Sequence, residues 1–276
     1  MSGLIAIARN EVRIGMRNKW IMLATAILLV FALLLVLLGA GPATSSSTDG
    51  LTIISASLAT LSVYLVPLIA LLLSFDAIAG EIDRGTLQLT LASPVSRAAV
   101  VLGKFLGHVI VLSIAVMIGY GLAGLCAFVA IENVAAEGLL DLARVVGTSI
   151  ALGATFVAIG YVASACVRQT GTAAALAIAI WLFAVVLYDM ALLGGLLADP
   201  EGVFATDLFP YLLVANPADA FRLFNLTALD AAGASTGFAA GGDVLPFAPQ
   251  FAIASPFIWI AVALWLTVVM MQRIKP

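Results

Sequence analysis

One segment of the chain, residues 76–99, combines charged and apolar side chains in a pattern that predicts binding to another protein. A carboxylate and a guanidinium lie one helical turn apart, and a glycine, a threonine and alternating leucines follow. A connecting loop needs no such mixture, whereas a docked helix uses apolar anchors and an ion pair that fixes its orientation. The residues expected to make this contact are Glu81, Arg84, Gly85, Thr86 and Leu87.

Asp189 is the one acid well inside a long apolar run. A carboxylate at such a depth is costly unless it is paired or hydrated, so acids of this kind often mark ion or proton pathways. Asp189 could bind a cation, relay a proton or hold helices together by hydrogen bonds. It could also lie close enough to the outer interface to reach water, and the sequence leaves these alternatives open.

The residue types give little indication that this chain binds a metal ion or a nucleotide. Copper prefers thioether, thiolate and imidazole ligands, but the methionines are scattered and His108 is the single histidine. Cys126 and Cys166 lie in apolar runs, where we expect them to pack as small hydrophobic residues rather than to form a disulfide. No phosphate-binding loop is present, because Gly103-Lys104 lacks the other residues of that motif. We therefore expect no catalytic residue, metal ligand or cofactor in this chain.

Transmembrane helices must position these residues. The chain has 276 residues, of which 63% are hydrophobic and 10% are charged, whereas a soluble domain carries about 25% charged residues. A helix needs about 20 mostly apolar residues to cross a bilayer. Six runs qualify, which predicts one all-α domain, with a kink at Pro67. The predicted spans are 20–38, 51–75, 101–131, 145–167, 172–198 and 251–271.

Basic residues alternate between the connecting segments and predict the orientation of the chain. Ten of the 12 lysines and arginines fall on one side, and only Arg144 and Arg222 fall on the other. Since cytoplasmic segments carry the excess of basic residues, both termini are expected to be cytoplasmic. Lys104 and His108, in the first turns of the third span, are expected at the cytoplasmic interface. The surroundings are then lipid and protein partners, with no nucleic acid.

The leader, residues 1–19, predicts an amphipathic helix along the cytoplasmic interface. Three arginines flank its apolar face. Glu11 works against binding to anionic lipid, so its presence favours contact with a partner subunit, and a simple positively charged anchor is the alternative. The apolar face comprises Ile5, Ala8, Val12 and Met16.

The outer segment, 199–249, contains a second amphipathic stretch at 217–229, and 231–242 is predicted to be flexible. The helix could rest on the outer leaflet or dock a periplasmic subunit, and the sequence favours neither. The candidate docking residues are Asn216, Asp219, Phe221, Arg222, Phe224 and Asn225.

The cytoplasmic segment resembles a known family. Its run Gly80-Glu81-x-x-Arg84-Gly85-Thr86-Leu87, followed by Ser93-Pro94-Val95-Ser96-Arg97 and Leu102-Gly103-Lys104, is similar to the first cytoplasmic loop of ABC-2 type permeases. The leader with Ala8-Arg9-x-Glu11 resembles the N-terminal connecting helix of the same family. The resemblance covers the whole topology and implies a type V exporter-like transmembrane domain. It also implies that Glu11 and the loop, acting as a coupling helix, contact an ATPase.

Three further segments, 66–78, 102–108 and 215–226, resemble a narrower group within the family. These are the permeases of complexes that support maturation of the copper enzyme nitrous oxide reductase in denitrifying bacteria. The resemblance implies two copies of this chain, two ATPase subunits that bind ATP and Mg, and a periplasmic β-helical protein. Copper or sulfur species would be handled by the complex, and the periplasmic protein would reach the reductase or a copper chaperone.

Other functions compete with this interpretation. The chain could be a general ABC-2 exporter of another small molecule, or a membrane anchor that transports nothing. An ion-coupled transporter using Asp189 would need several buried charges or interrupted helices, for which one acid is thin support. The weak supply of metal ligands favours a mechanical role, in which the chain transmits ATP-driven movement to its periplasmic partner.

Overall fold

Six long apolar helices run through the structure, a computed structural model that describes residues 2–39, 50–87, 95–130, 136–200, 202–228 and 246–273. The predicted all-α fold with six membrane-spanning helices is confirmed, and no strand occurs in these ranges. Residues 88–94 of the coupling loop and the predicted flexible stretch 231–242 lie outside the described residues.

In chain order the helices are α1 (Ser2–Gly15), α2 (Lys19–Gly39), α3 (Gly50–Ser74), α4 (Ala79–Asp83), α5 (Arg97–Ala130), α6 (Ala136–Cys166), α7 (Thr170–Leu182), α8 (Tyr188–Ala198), α9 (Phe209–Ala215), α10 (Pro217–Ala228) and α11 (Ala254–Arg273). The π-helical turn Phe183–Leu187 joins α7 to α8, so that Thr170–Ala198 forms the fifth span. A second π-helical turn, Phe204–Leu208, precedes α9, and the 3-10 turn Pro249–Ile253 precedes α11.

Helices α3 and α6 form the centre of the bundle and pack along each other. In their apolar cores 61% and 67% of the residues are buried, whereas only 17% are buried in α2 and in the fifth span. Ser62 of α3 lies 2.7 Å from the Tyr120 hydroxyl and 2.9 Å from the Ser149 hydroxyl, which joins α3, α5 and α6. These buried hydroxyl groups therefore form hydrogen bonds with one another between the helices.

Helix α1 lies in a groove on α5 that two glycines create. A Cβ atom added at Gly107 would lie 2.5 Å from the Glu11 Cβ and 2.9 Å from the Ala8 carbonyl oxygen. One added at Gly103 would lie 2.9 Å from the Leu4 carbonyl oxygen. The two backbones can therefore approach closely only because these side chains are missing.

This docking divides the predicted apolar face of α1. Ala8 is buried against the protein and Val12 packs on the core, whereas Ile5 and Met16 are 60% and 46% exposed. Arg9 and its neighbouring arginines are exposed as well. The leader is thus a helix held by the protein on one face, with its other face free to meet the membrane surface.

Helix α10 is packed inside the chain rather than laid along its outer surface. It contacts α3, α6 and the 3-10 turn before α11. Phe221 and Leu223 are 1% and 2% exposed, and no described side chain of α10 is fully exposed. The amphipathic pattern is therefore satisfied by the bundle itself.

Both cysteines are free thiols, as expected. Cys126 of α5 and Cys166 at the end of α6 are exposed on the described surface. An outward face of a membrane helix accepts a small apolar thiol as readily as the core does.

Replacing Gly107 with alanine should push α1 off α5. The added methyl group meets the Glu11 side chain and a backbone carbonyl, and overpacking of this kind costs about 1–3 kcal/mol. Thermal unfolding of the detergent-solubilised protein and protease sensitivity of the leader measure this. Gly121 on the same helix has no atom within 4 Å of an added Cβ, so Gly121→Ala is the matched control. Equal stability of the two variants would contradict the groove.

Candidate functional site

Lys104 joins the two segments that were predicted to contact a partner. Its Nζ atom lies 2.8 Å from Glu11 Oε1 of α1 and 2.8 Å from Glu81 Oε1 of α4. Lys104 is only 6% exposed, and the two acidic side chains are 12% and 17% exposed. We call these three residues the ion triad. Helices α1 and α4 cover the Lys104 ammonium group, and its position at the cytoplasmic interface stays a prediction.

His108 extends the ion triad one helical turn further along α5. Its Nε2 atom lies 3.7 Å from Glu11 Oε2, and its Nδ1 atom lies 2.7 Å from the Tyr161 hydroxyl of α6. His108 is 6% exposed, and its position at the cytoplasmic interface stays a prediction as well. Glu81 Oε2 is buried and has no hydrogen-bond partner in the described part of the chain. With two carboxylate side chains and one ammonium group, the ion triad contains more acidic than basic groups.

Helix α4 is also fastened to two further spans. The backbone N–H groups of Ile78 and Ala79 donate to the Ser164 hydroxyl oxygen of α6 at 3.0 and 2.9 Å. Such N–H groups at a helix start have no partner within the helix. Asp83 Oδ2 accepts hydrogen bonds from the Thr170 backbone N–H at 3.2 Å and hydroxyl at 2.8 Å. Together with the ion triad, these contacts join α4 to α5, α6 and α7.

Within the described residues of the segment 76–99, the turn after α4 is exposed. Arg84, Gly85 and Thr86 are exposed, and Gly85 has a φ of 69°, a conformation that glycine adopts without steric cost. Leu87 is only 4% exposed. Among the predicted contact residues, Arg84, Gly85 and Thr86 are therefore available to a partner. Glu11 and Glu81 instead point towards Lys104. Contact of those two acids and of Leu87 with an ATPase stays a prediction.

Asp189 is paired with Arg222 in α8, the part of the fifth span that the charge pattern predicts to be outer. Arg222 Nη1 lies 2.9 Å from Asp189 Oδ2 and 3.0 Å from Asp219 Oδ1. Asn216 donates from Nδ2 to Asp219 Oδ2 at 2.9 Å and to the Ala184 carbonyl oxygen at 2.7 Å. Ala184 belongs to the π-helical turn, a local widening of the helix that is often found at functional sites.

This arrangement, which we call the outer lock, fastens α8 and the π-helical turn to α10. Of the alternatives for Asp189, it favours hydrogen bonding between helices. Two carboxylates share one guanidinium, and Asp189 Oδ1 is buried without a hydrogen-bond partner among the described residues. Burial and the neighbouring Asp189 carboxylate raise the pKa of Asp219 to about 8. The acid pair therefore holds a proton at neutral pH.

The other outer docking candidates also face the inside of the chain. Asn216, Phe221 and Asn225 are buried, and Phe224 is half-buried. Asn225 Oδ1 accepts a hydrogen bond of 3.1 Å from the Thr148 hydroxyl of α6. Docking of a periplasmic partner on these residues stays a prediction, since the exposed side chains nearby belong to α9 and the turn before it, such as Tyr211.

The sequence did not reveal the partners of Lys104. Glu11 precedes it by 93 residues and Glu81 by 23, and no spacing rule links positions that far apart. The roles of Ser164 and Thr170 were missed for the same reason. One usable signal was present, because Gly103-x-x-x-Gly107 around Lys104 indicates close approach of another helix. That helix is α1.

A six-span helical domain with a leader helix and a coupling segment after the second span defines the membrane domain of an ABC-2 permease. Residues 5–274 match the family described as ABC-2 family transporter protein, and the chain belongs to this family. It is therefore a multi-pass membrane protein of the ABC permease type.

Two relatives are similar over nearly their whole length, and both are named probable ABC transporter permease protein NosY. The relative from Pseudomonas aeruginosa is 41% identical over 263 residues, which cover 94% of this chain and 92% of the relative. The relative from Stutzerimonas stutzeri is 38% identical over 269 residues, 97% of each chain. The narrower resemblance of segments 66–78, 102–108 and 215–226 is thereby confirmed.

Replacing Lys104 with methionine should strongly destabilise the protein. The substitution leaves two buried carboxylates without their cation, and breaking a buried ion pair in this way costs about 3–5 kcal/mol. Thermal unfolding in detergent measures the loss. Adding Glu11→Gln and Glu81→Gln to Lys104→Met should recover much of it, because the uncompensated charges are then gone. A Lys104→Met variant as stable as the parent protein would show that the ion triad does not contribute to stability in this way.

The stability of the outer lock should depend on pH through Asp219. Its folded-state pKa of about 8 lies above its ordinary value of 3.8. The folded state thus binds more protons, and stability should fall as pH rises from about 4 to 8, by up to about 1.4 kcal/mol per pH unit.

Thermal unfolding of Asp219→Asn between pH 6 and 9 tests this dependence. The variant should lose less stability over this range than the parent protein. Asp207→Asn is the control, since Asp207 is exposed and should leave the parent profile unchanged. Identical profiles for the parent and Asp219→Asn would contradict the shared proton.

Proposed function

We propose that this chain is the membrane subunit of an ABC complex in which two copies pair with two copies of a separate ATPase that binds ATP and Mg. The complex lies in the bacterial inner membrane with both termini of this chain in the cytoplasm. The excess of basic residues on one side supports this orientation. The two basic residues of the other side, Arg144 and Arg222, are both paired with acids, at 2.7 Å to Asp141 and at 2.9 Å to Asp189.

The fastening of α4 to three spans is the observation that carries the coupling role. An ATPase that moves the exposed turn at Arg84–Thr86 also moves α4. Because α4 is bonded to α5 through Lys104, to α6 through Ser164 and to α7 through Thr170, the movement reaches three spans at once. A short loop with no such bonds would absorb the movement instead.

The fifth span offers a route from the cytoplasmic side to the outer side. Its first residue, Thr170, is bonded to Asp83 of α4, and its outer part is bonded to α10 through Asp189 and the Ala184 carbonyl. Between these ends the span is weakly packed, with 17% of its apolar core buried. Few contacts with the rest of the described chain therefore oppose a tilt that begins at Thr170 and extends to the outer lock.

The specific role that we propose is in copper-site maturation of nitrous oxide reductase. It rests on the similarity to the two NosY permeases and on the group that the sequence resembles. A periplasmic β-helical protein would receive the movement at the outer face and would reach the reductase or a copper chaperone. The scattered methionines and cysteines of this chain favour this mechanical role over passage of copper or sulfur species through the membrane.

Substitutions in the exposed turn should separate the permease from its ATPase without unfolding it. Arg84→Glu reverses an exposed charge, and Gly85→Ala places a Cβ at a φ of 69° that alanine adopts reluctantly. Loss of a central interface residue commonly weakens binding by about tenfold or more. Co-purification with the ATPase subunit and ATP turnover of the complex measure the effect.

Arg273→Glu is the control, because Arg273 is an exposed cytoplasmic arginine at the far end of α11. It should leave ATPase binding unchanged, and thermal unfolding should be the same for all three variants. If both turn variants bound and stimulated the ATPase as the parent protein does, the turn would not be the coupling site.

A further inference from the structure

An open groove runs between α2 and α3 in their cytoplasmic halves. It encloses about 560 Å³, within the range of about 300–1,000 Å³ that is usual for small-molecule sites. Leu23 and Ile27 of α2 form one wall, and Ile69 and Leu72 of α3 form the other. The groove is almost wholly apolar along these walls, so it fits a hydrocarbon chain.

Polar side chains line one end of the groove, which we call the groove mouth. Asp76 and Asn18 line it there, beside Trp20. Asn18 Oδ1 accepts the Trp20 backbone N–H at 2.9 Å at the start of α2, and the amide NH2 group of Asn18 is a donor without a partner among the described residues. The apolar groove thus ends in one carboxylate and one hydrogen-bond donor.

The Asp76 carboxylate has no direct counter-ion in the described part of the chain. The nearby ammonium of Lys104 is held by Glu11 and Glu81. The Arg84 guanidinium contributes electrostatically but stays beyond the 4.0 Å ion-pair distance. Asp76 is only half-buried, and a carboxylate at the mouth of an apolar groove is favoured by a cation that binds from outside.

We propose that this groove binds a phospholipid with a primary ammonium headgroup, the chemistry of phosphatidylethanolamine. The assignment rests on the proposed orientation, which puts the groove mouth at the inner-leaflet headgroups, where tryptophan and basic residues are usual. The ammonium N–H groups donate to Asp76, and the phosphate accepts from the Asn18 amide, beside the exposed Arg17 and Lys19. The acyl chains lie along the walls of the groove.

This chemistry discriminates between headgroups. Phosphatidylcholine carries the same charge but has no N–H donor, and phosphatidylglycerol has no cation to offer to Asp76. Charge-assisted hydrogen bonds are about twice as strong as neutral ones, so the headgroup should decide which lipid is retained. Purification of the full chain from vesicles with equal amounts of the three lipids, followed by quantification of the bound lipid, measures this.

We expect phosphatidylethanolamine to be retained roughly tenfold over each of the other two lipids. Asp76→Asn should abolish the preference, whereas Asp207→Asn, an exposed acid far along the chain, should keep it. Ala24→Trp, which fills the groove without changing charge, should lower retention of all three lipids. The parent protein alone gives the headgroup comparison, so the result stands even if a variant fails to fold.

Equal retention of phosphatidylethanolamine and phosphatidylcholine by the parent protein would overturn the proposal. So would an unchanged preference in a folded Asp76→Asn variant. A third contrary result is rapid disulfide formation between two copies carrying Leu23→Cys, with Cys126 and Cys166 replaced by serine. That result would show that a second copy of this chain occupies the groove. None of these measurements involves the ATPase, so failure here is distinct from failure of the coupling role.

Discussion

A single ammonium group organises the half of this protein that contains α1 and α4. Removing a charge from water is costly unless ions of opposite sign replace the water, and Lys104 is 6% exposed. Two carboxylates meet that need, and each belongs to a short helix outside the bundle, α1 or α4. The glycines on either side of Lys104 admit the α1 backbone, so sterics and electrostatics place the leader in the same position.

The opposite half, around Arg222, repeats this arrangement with different residues. Arg222 is shared by two carboxylates, as Lys104 is shared by two, and it too joins a short helix to a span. At both ends one carboxylate oxygen, of Glu81 or of Asp189, is buried without a hydrogen-bond partner among the described residues. Each joint thus keeps one carboxylate oxygen that is not committed to a hydrogen bond within the described part of the chain. Joints of this kind suit a protein whose short helices must move with its spans.

Local patterns were enough to predict the spans and the family, because hydropathy and short motifs such as the Glu81–Leu87 run involve residues only a few helical turns apart. Pairings between distant positions could not be predicted. The pairing of Glu11 with Lys104, and of Asp189 with Arg222, requires knowledge of which helices adjoin. The burial of α10 was missed for a related reason: an amphipathic pattern records that one face avoids water, but it does not tell lipid from protein.

The glycine groove on α5 has a consequence for how the chain is made. Glu11 is synthesised 93 residues before Lys104, which corresponds to roughly 5–20 s of translation. During that interval the groove does not yet exist, and α1 must wait at the bilayer surface, where its exposed Ile5, Ile14 and arginines suit it. Helix α1 therefore cannot reach its final place before the third span, α5, has been inserted.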